Sequence, residues 1–251
     1  MEKEEQLFRK RILELADTCF RRDVPVNTDF LTLSEQTIFH SISGMLPPVR
    51  LVLSGGFESS ERKVVCFLPS YEEELLDLPY DCLKIAPANR KFAEELSHRD
   101  YLGAIMNLGI ERSLLGDIVI KDGDAYVFVL KKMSRYLVES LTTIRHTTVT
   151  ASVAEEAGEL LKPEYEEIQG TVSSIRLDSI VALCGRLSRT KAAAYIEAEK
   201  VFVNGQIASQ TSRTVKEGEI LSIRGIGKFK FDGAGGQSKK GRTVVTLLKY
   251  K

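Results

Sequence analysis

The sequence predicts an α+β, multidomain chain: a helical and β N-terminal region at 1–80, a ferredoxin-type βαββαβ domain at 81–152, an acidic linker at 153–173, and a small αα-β module at 174–251. Three observations predict this. The 251 residues exceed one typical domain of roughly 100–150 residues. Apolar spacing switches repeatedly between the helical and the strand period. Charge is also divided unevenly: residues 175–251 hold 15 Lys+Arg against 6 Asp+Glu, while residues 1–174 hold 20 against 29. The formal net charge of zero therefore conceals a basic C-terminal module on an acidic body, and a positive field of that size attracts polyphosphate through counterion release.

In the N-terminal region, Leu7, Phe8, Ile12, Leu15, Ala16 and Cys19 recur at helical spacing over residues 4–20. A second helix is expected near Ser34. Thr32 and Glu35 have capping-box spacing there, Ile38, Phe39 and Ile42 form the inner face, and Gly44 with Pro47 and Pro48 stops the run. Two short strands follow, VRLVLS from 49 and KVVCFL from 63.

From Leu83 the alternation becomes regular: strand LKIA, helix from Ser97 to Leu108, strand DIVI from 117, strand AYVFVL from 125, helix 132–141, strand HTTVTA from 146. Asp122-Gly123 signals a tight hairpin, and Ser97 with Asp100 a helix start. The order β-α-β-β-α-β closes as a split βαβ sandwich, the class that includes RNA-recognition modules (RRM-like). Tyr126 and Phe128 share one face of their strand, with Ala125, Val127 and Val129 facing the helices. RNA-recognition modules stack bases on such rings. The acidic body repels phosphate, however, and the glycine-aromatic signature is only partly present, so packing against the N-terminal strands or another domain is the favoured expectation.

The stretch VAEEAGELLKPEYEEIQG, rich in glutamate and interrupted by proline, reads as a connector with a short helix. Beyond it, residues 176–208 can be parsed locally. A short helix turns Leu177, Ile180, Val181 and Cys184 inward and ends at Gly185. Ser188 caps a second helix, in which Ala192, Ala193, Tyr195 and Ile196 pack. Strand KVFV leads into Asn204-Gly205, the dipeptide of a type I′ hairpin. Arg186, Arg189, Lys191 and Lys200 border this junction, where the second helix also presents free backbone N–H groups, so phosphate is expected there.

These residues resemble the alpha-L RNA-binding motif of small-subunit ribosomal protein S-four, found also in heat-shock and stalled-ribosome factors, pseudouridine synthases and tyrosyl-tRNA synthetases. The match runs through Arg176-Leu177-Asp178, Ser188-Arg189, Ala192, Ile196, Val201, Val203 and Asn204-Gly205 to Lys216-Glu217-Gly218-Glu219-Ile220. The resemblance implies an RNA face of Arg176, Asp178, Arg186, Ser188, Arg189, Thr190, Lys191 and Lys200. The family commonly has glycine where this chain has Glu199, which implies a differently turned exit from the second helix and an altered seat for Lys200. With HRDYLGAIMNLGIERSLLGDIVI before the module and RGIGKFKF after its motif, nearly the whole chain resembles the YlmH-type proteins. That resemblance implies a non-catalytic, ribosome-associated RNA binder acting in ribosome rescue and quality control or cell division. Its implied partners are large-subunit ribosomal RNA, peptidyl-tRNA and division proteins.

Other signals have plainer readings. Cys19, Cys66, Cys82 and Cys184 lie far apart without CxxC spacing, which indicates neither zinc nor a disulfide framework. His40, His98 and His146 are isolated. No metal, cofactor or catalytic residue is expected. No apolar run approaches the roughly 20 residues of a membrane helix, and the N-terminus lacks secretory features, so no membrane insertion and a cytoplasmic location are expected. Lys131-Lys132-Met133-Ser134-Arg135 echoes the KMSKS loop of tRNA synthetases, but its paired-histidine partner motif is absent. Arg176-Leu177-Asp178 also resembles the catalytic aspartate motif of pseudouridine synthases, although Asp178 suits a helix start. Gly225-Ile226-Gly227 and Gly233-Ala234-Gly235-Gly236 read as hairpin tips, with Lys228, Lys230, Lys239, Lys240 and Arg242 nearby. Two alternatives stay open: an RNA-modifying or tRNA-charging enzyme with an appended RNA-binding module, and a scaffold of the division machinery.

Overall fold

A computed structural model describes residues 2–69, 77–155, 157–238 and 241–250. The chain divides into two compact units, Met1–Lys162 and Pro163–Lys251.

The first unit contains α1 (Glu2–Arg22), β1 (Val26–Asn27), α2 (Leu33–Ile42), β2 (Arg50–Ser54), β3 (Val64–Leu68), β4 (Tyr80–Pro87), α3 (His98–Asn107), β5 (Leu115–Lys121), β6 (Asp124–Leu130), α4 (Lys131–Ser140), β7 (Thr143–Ile144), β8 (Thr147–Val153) and α5 (Ala157–Leu160). Along α1, Ile12, Ala16 and Cys19 fall on one stripe and pack against Phe39 and Ile42 of α2 and Val65 and Phe67 of β3. Leu7, expected on that stripe, is 60% exposed. The expected capping box opens α2: Thr32 Oγ1 accepts from the Glu35 N–H, and the Glu35 carboxylate accepts from the Thr32 N–H. β1, too short to show a period in sequence, joins β3 and β2 in an antiparallel sheet of order β1-β3-β2.

The five-stranded sheet has order β5-β6-β4-β8-β7, and every pairing is antiparallel. Without the two-residue β7 this is the strand arrangement of the βαββαβ sandwich. Asp122 and Gly123 both take positive φ in the β5–β6 hairpin, and Ser97 and Asp100 form the capping box of α3. One face of the sheet buries Ala125, Val127 and Val129 with Tyr101 and Ile105 of α3 and Leu137 of α4. The opposite face places Tyr126 and Phe128, 7% and 2% exposed, against Phe30, Val64, Cys66 and Leu68 of the N-terminal region. Phe57 stacks on Phe128 at 5.3 Å, and Tyr80 meets it edge-on at 6.1 Å. Gly56 lies flat on that ring, where an added Cβ would come within 2.0 Å of Phe128. The face on which RNA-recognition modules stack bases is therefore closed by the chain's own N-terminal region.

Arg62 fastens the two parts of this unit, donating to the carbonyls of Phe30, Leu115 and Arg112, while the Asp117 carboxylate accepts from the Glu61 and Arg62 N–H groups. Lys131-Lys132-Met133-Ser134-Arg135 is no loop. It forms the first turns of α4, with Ser134 buried, Lys131 paired to Asp77 and Arg135 to Glu139.

The second unit contains β9 (Tyr165–Val172), α6 (Leu177–Gly185), α7 (Arg189–Glu197), β10 (Val201–Val203), β11 (Gln206–Ile207), β12 (Ile220–Ile223), β13 (Gly227–Gln237) and β14 (Thr243–Tyr250). Its antiparallel sheet has order β11-β10-β12-β13-β14-β9. Leu177, Ile180, Val181 and Cys184 of α6 and Ala192 and Ile196 of α7 bury one face of it, against Val201, Leu221, Phe229, Phe231, Val245 and Leu247. Ala193 and Tyr195, expected to pack, are half-buried.

Two sequence expectations are corrected here. The stretch read as a connector carries β9, paired from Tyr165↔Tyr250 to Val172↔Thr243. As the edge strand it exposes Glu166, Glu167 and Gln169, polar residues of which the two glutamates are charged, which blunts an open edge and hides the strand period. Gly233 to Gly236 lie within β13 rather than at its tip, next to register shifts where a strand bulges. Gly225 does sit in the β12–β13 turn, at φ +78°. Lys239 and Lys240 lie outside the described residues.

Candidate nucleic-acid interface

The basic junction of the second unit is built by two helix ends. Helix α6 stops where Arg186 takes a left-handed backbone conformation, φ 50° and ψ 43°, and its N–H closes onto the Ala182 and Leu183 carbonyls. Arginine here does the work usual for glycine, and its side chain is exposed. Two residues on, Ser188 caps α7, its Oγ accepting from the Lys191 N–H at 3.3 Å. A helix leaves its first backbone N–H groups without intrahelical partners, and Arg189, Thr190 and Lys191 in the first turn of α7 are all exposed.

Asp178 organises the arginines. Buried in the first turn of α6, it accepts from Arg189 at 2.6 Å and from Arg176 at 3.3 Å. Burial alone would raise its carboxyl pKa. The Arg189 hydrogen bond and charge, followed by the charge of Arg176, outweigh burial and hold it below the ordinary 3.8. Asp178 is thus a positioning residue inside the module rather than part of an exposed surface. Arg176 and Arg189 remain about half exposed, at 41% and 52%, so each guanidinium keeps N–H groups available to a further acceptor.

Arg186 and Arg189 line a groove of about 300 Å³ together with Ser179, Thr171, Ser173 and Arg242. Arg242 comes from the β13–β14 connection and donates to the Thr171 carbonyl at 2.7 Å, which fixes its direction. The structure therefore brings Arg176, Asp178, Arg186 and Arg189 together, with Ser188 as their cap. Lys191 stands two positions after Arg189, on the other flank of α7. Lys200 stands past the far end of the nine-residue helix, which is about 13 Å long, with its Nζ 5.4 Å from the Tyr195 ring centroid. Sequence reasoning placed Arg242 in a glycine-rich tip and did not single out Thr171, Ser173 or Ser179. Only the pairing of β14 with β9 delivers Arg242 and Thr171 to the same wall.

The expected change at the exit of α7 is absent. Glu199 itself takes φ 54°, the conformation a glycine would supply, and the Lys200 N–H returns to the Tyr195 carbonyl. Asn204 and Gly205 both have positive φ, at 50° and 80°, completing the type I′ hairpin. Among the described residues no group of three or more His, Cys, Asp or Glu is arranged to hold a metal ion, and no helix is long and apolar enough to cross a membrane.

Comparison with known proteins agrees with this architecture. Residues 79–157 match the family described as "Putative RNA-binding domain in YlmH", and residues 175–221 match the S4 domain family. Ribosome-associated protein quality control protein P2 of Bacillus subtilis (strain 168) is 32% identical over 226 residues, spanning 89% of this chain and 87% of that protein. A solved structure, cell division protein ylmH from Streptococcus pneumoniae, is 24% identical with a TM-score of 0.49, covering 61% of this chain and 93% of that one. With both family matches on this chain and the Bacillus subtilis relative matched along most of both chains, the protein belongs to the YlmH family of RNA-binding proteins that carry a C-terminal S4 domain.

Proposed function

We propose that this chain is a non-catalytic adaptor that docks through its second unit on structured ribosomal RNA, that of the large subunit, within ribosome-associated quality control. The observation that carries the reading is the meeting of Arg186, Arg189 and Arg242 in one groove beside the N-terminus of α7. Structured RNA is recognised largely by shape and by phosphate and 2′-hydroxyl contacts, so a compact cationic junction suffices without base-reading side chains. The name of the Bacillus subtilis relative supports the ribosomal setting, and peptidyl-tRNA is a second RNA within reach of such a setting.

The contact set proposed for RNA is Arg176, Arg186, Ser188, Arg189, Thr190 and Lys191, with Asp178 orienting the arginines and Lys200 contributing from the far end of α7. The test is titration of purified ribosomal subunits and of their free RNA with the whole chain across a salt series. Salt-dependent binding with preference for the large subunit is expected, and an affinity indifferent to salt would sink phosphate contact.

A further inference from the structure

We propose that the groove under Arg186, Arg189 and Arg242 seats one extruded nucleotide of the bound RNA, its phosphate on the three arginines and its unpaired base on the groove floor. This rests on the RNA-binding reading above and adds to it a specific RNA feature, an unpaired residue.

At about 300 Å³ the groove lies at the lower end of the range of small-ligand pockets, roughly 300–1,000 Å³, so it fits a single nucleotide unit and no helix. The floor is apolar, made by Val172, Ala182, Leu183 and Leu187. A paired strand turns its bases inward and leaves such a floor unused, whereas an unstacked base can be splayed into it. The fit of the floor is specific: Leu183 lies against β9 only because residue 170 is glycine, where an added Cβ would come within 2.5 Å of the leucine Cδ1.

Arg189 is held by Asp178 at 2.6 Å and Arg242 by the Thr171 carbonyl at 2.7 Å, so two of the three cations are aimed before any ligand arrives. Thr171 and Ser173, both exposed, line the same space and suit a ribose or a base edge, while the Ser179 hydroxyl donates to Asp178 at 3.4 Å. Thr171, Val172, Ser173 and Arg242 all lie outside the S4 match at 175–221. The seat is thus completed by β9 and the β13–β14 connection of this chain.

The experiment uses two labelled stem-loop RNAs, identical except that one carries a single bulged nucleotide, titrated with the full chain. The bulged RNA is expected to bind about tenfold tighter, the scale of burying one further apolar face. Arg242→Gln and Ser173→Asp, the latter on an exposed residue that leaves the core intact, should each shrink that preference below about twofold while circular dichroism stays unchanged. Equal, salt-dependent binding of both RNAs overturns the nucleotide seat and leaves the RNA-binding reading standing. So does a preference that survives in both variants. Absence of salt-dependent binding to either RNA overturns the broader reading itself.

Discussion

At the scale of single residues, Asp178 carries the clearest consequence. Its folded pKa lies below its unfolded value, so it stabilises the fold above the unfolded pKa, and that contribution is lost as pH falls through the folded one. Asp178→Asn should cost about 1.5–3 kcal/mol at pH 7, the range for hydrogen bonds to charged groups. The gap to wild type should close below about pH 4. Urea unfolding at pH 7 and at pH 3 checks both statements, and an equal gap at the two pH values would refute the ion-pair account. Glu199 gives the opposite sign. A non-glycine residue in the left-handed region costs about 1–2 kcal/mol, part of which glycine returns as unfolded-state entropy. Glu199→Gly should therefore raise the unfolding midpoint by up to about 1 kcal/mol of stability.

Legibility at this scale follows locality. Ser188 as a cap and Asn204-Gly205 as a turn are decided by neighbours within three residues, so the sequence discloses them. Arg242 is decided by a strand pairing with residues some seventy positions earlier, and no local signal announces where its side chain arrives. Lys200 shows the converse limit: its nearness in sequence to the basic junction hides the length of the helix that separates them.

At the scale of elements, the five-stranded sheet and β9 teach different lessons. The βαββαβ order is readable because long elements with strong periods alternate. That the outer sheet face is covered follows from Tyr126 and Phe128 only once Phe30, Phe57 and Tyr80 are found over them. The tight seat at Gly56, φ +95°, makes a sharp prediction. Gly56→Ala should destabilise the first unit by about 2–4 kcal/mol through overpacking on Phe128 and left-handed strain. Phe128→Leu should lower thermal stability while leaving RNA affinity within about twofold, whereas a base-stacking role would predict a loss worth about 1–3 kcal/mol of binding. β9 escaped sequence reading because one side carries Glu167, Gln169 and Thr171, while the inward side begins with exposed Glu166 and includes Gly170, which contributes no hydrophobic signal.

At the scale of the whole molecule, the division of charge sets how RNA is approached. The basic unit should carry most of the salt dependence, and Lys191→Ala should lower the slope of log affinity against log salt by about one. The acidic first unit should make the same slope shallower in the whole chain than in Pro163–Lys251 alone, because like charge repels the approaching backbone. Titrations of both forms over a salt series measure this directly, and identical slopes would show that the first unit stands too far from the RNA to be felt. The sum of charges conceals this polarity, and only its distribution along the chain reveals it.

The left-handed arginine that ends α6 sets stability and purpose against each other. Arg186→Gly would relieve the backbone and remove a cation from the groove in one step, so heat resistance and RNA affinity should move in opposite directions. A laboratory selection for hardier variants would enrich that glycine and deliver proteins that survive longer while losing their grip on RNA.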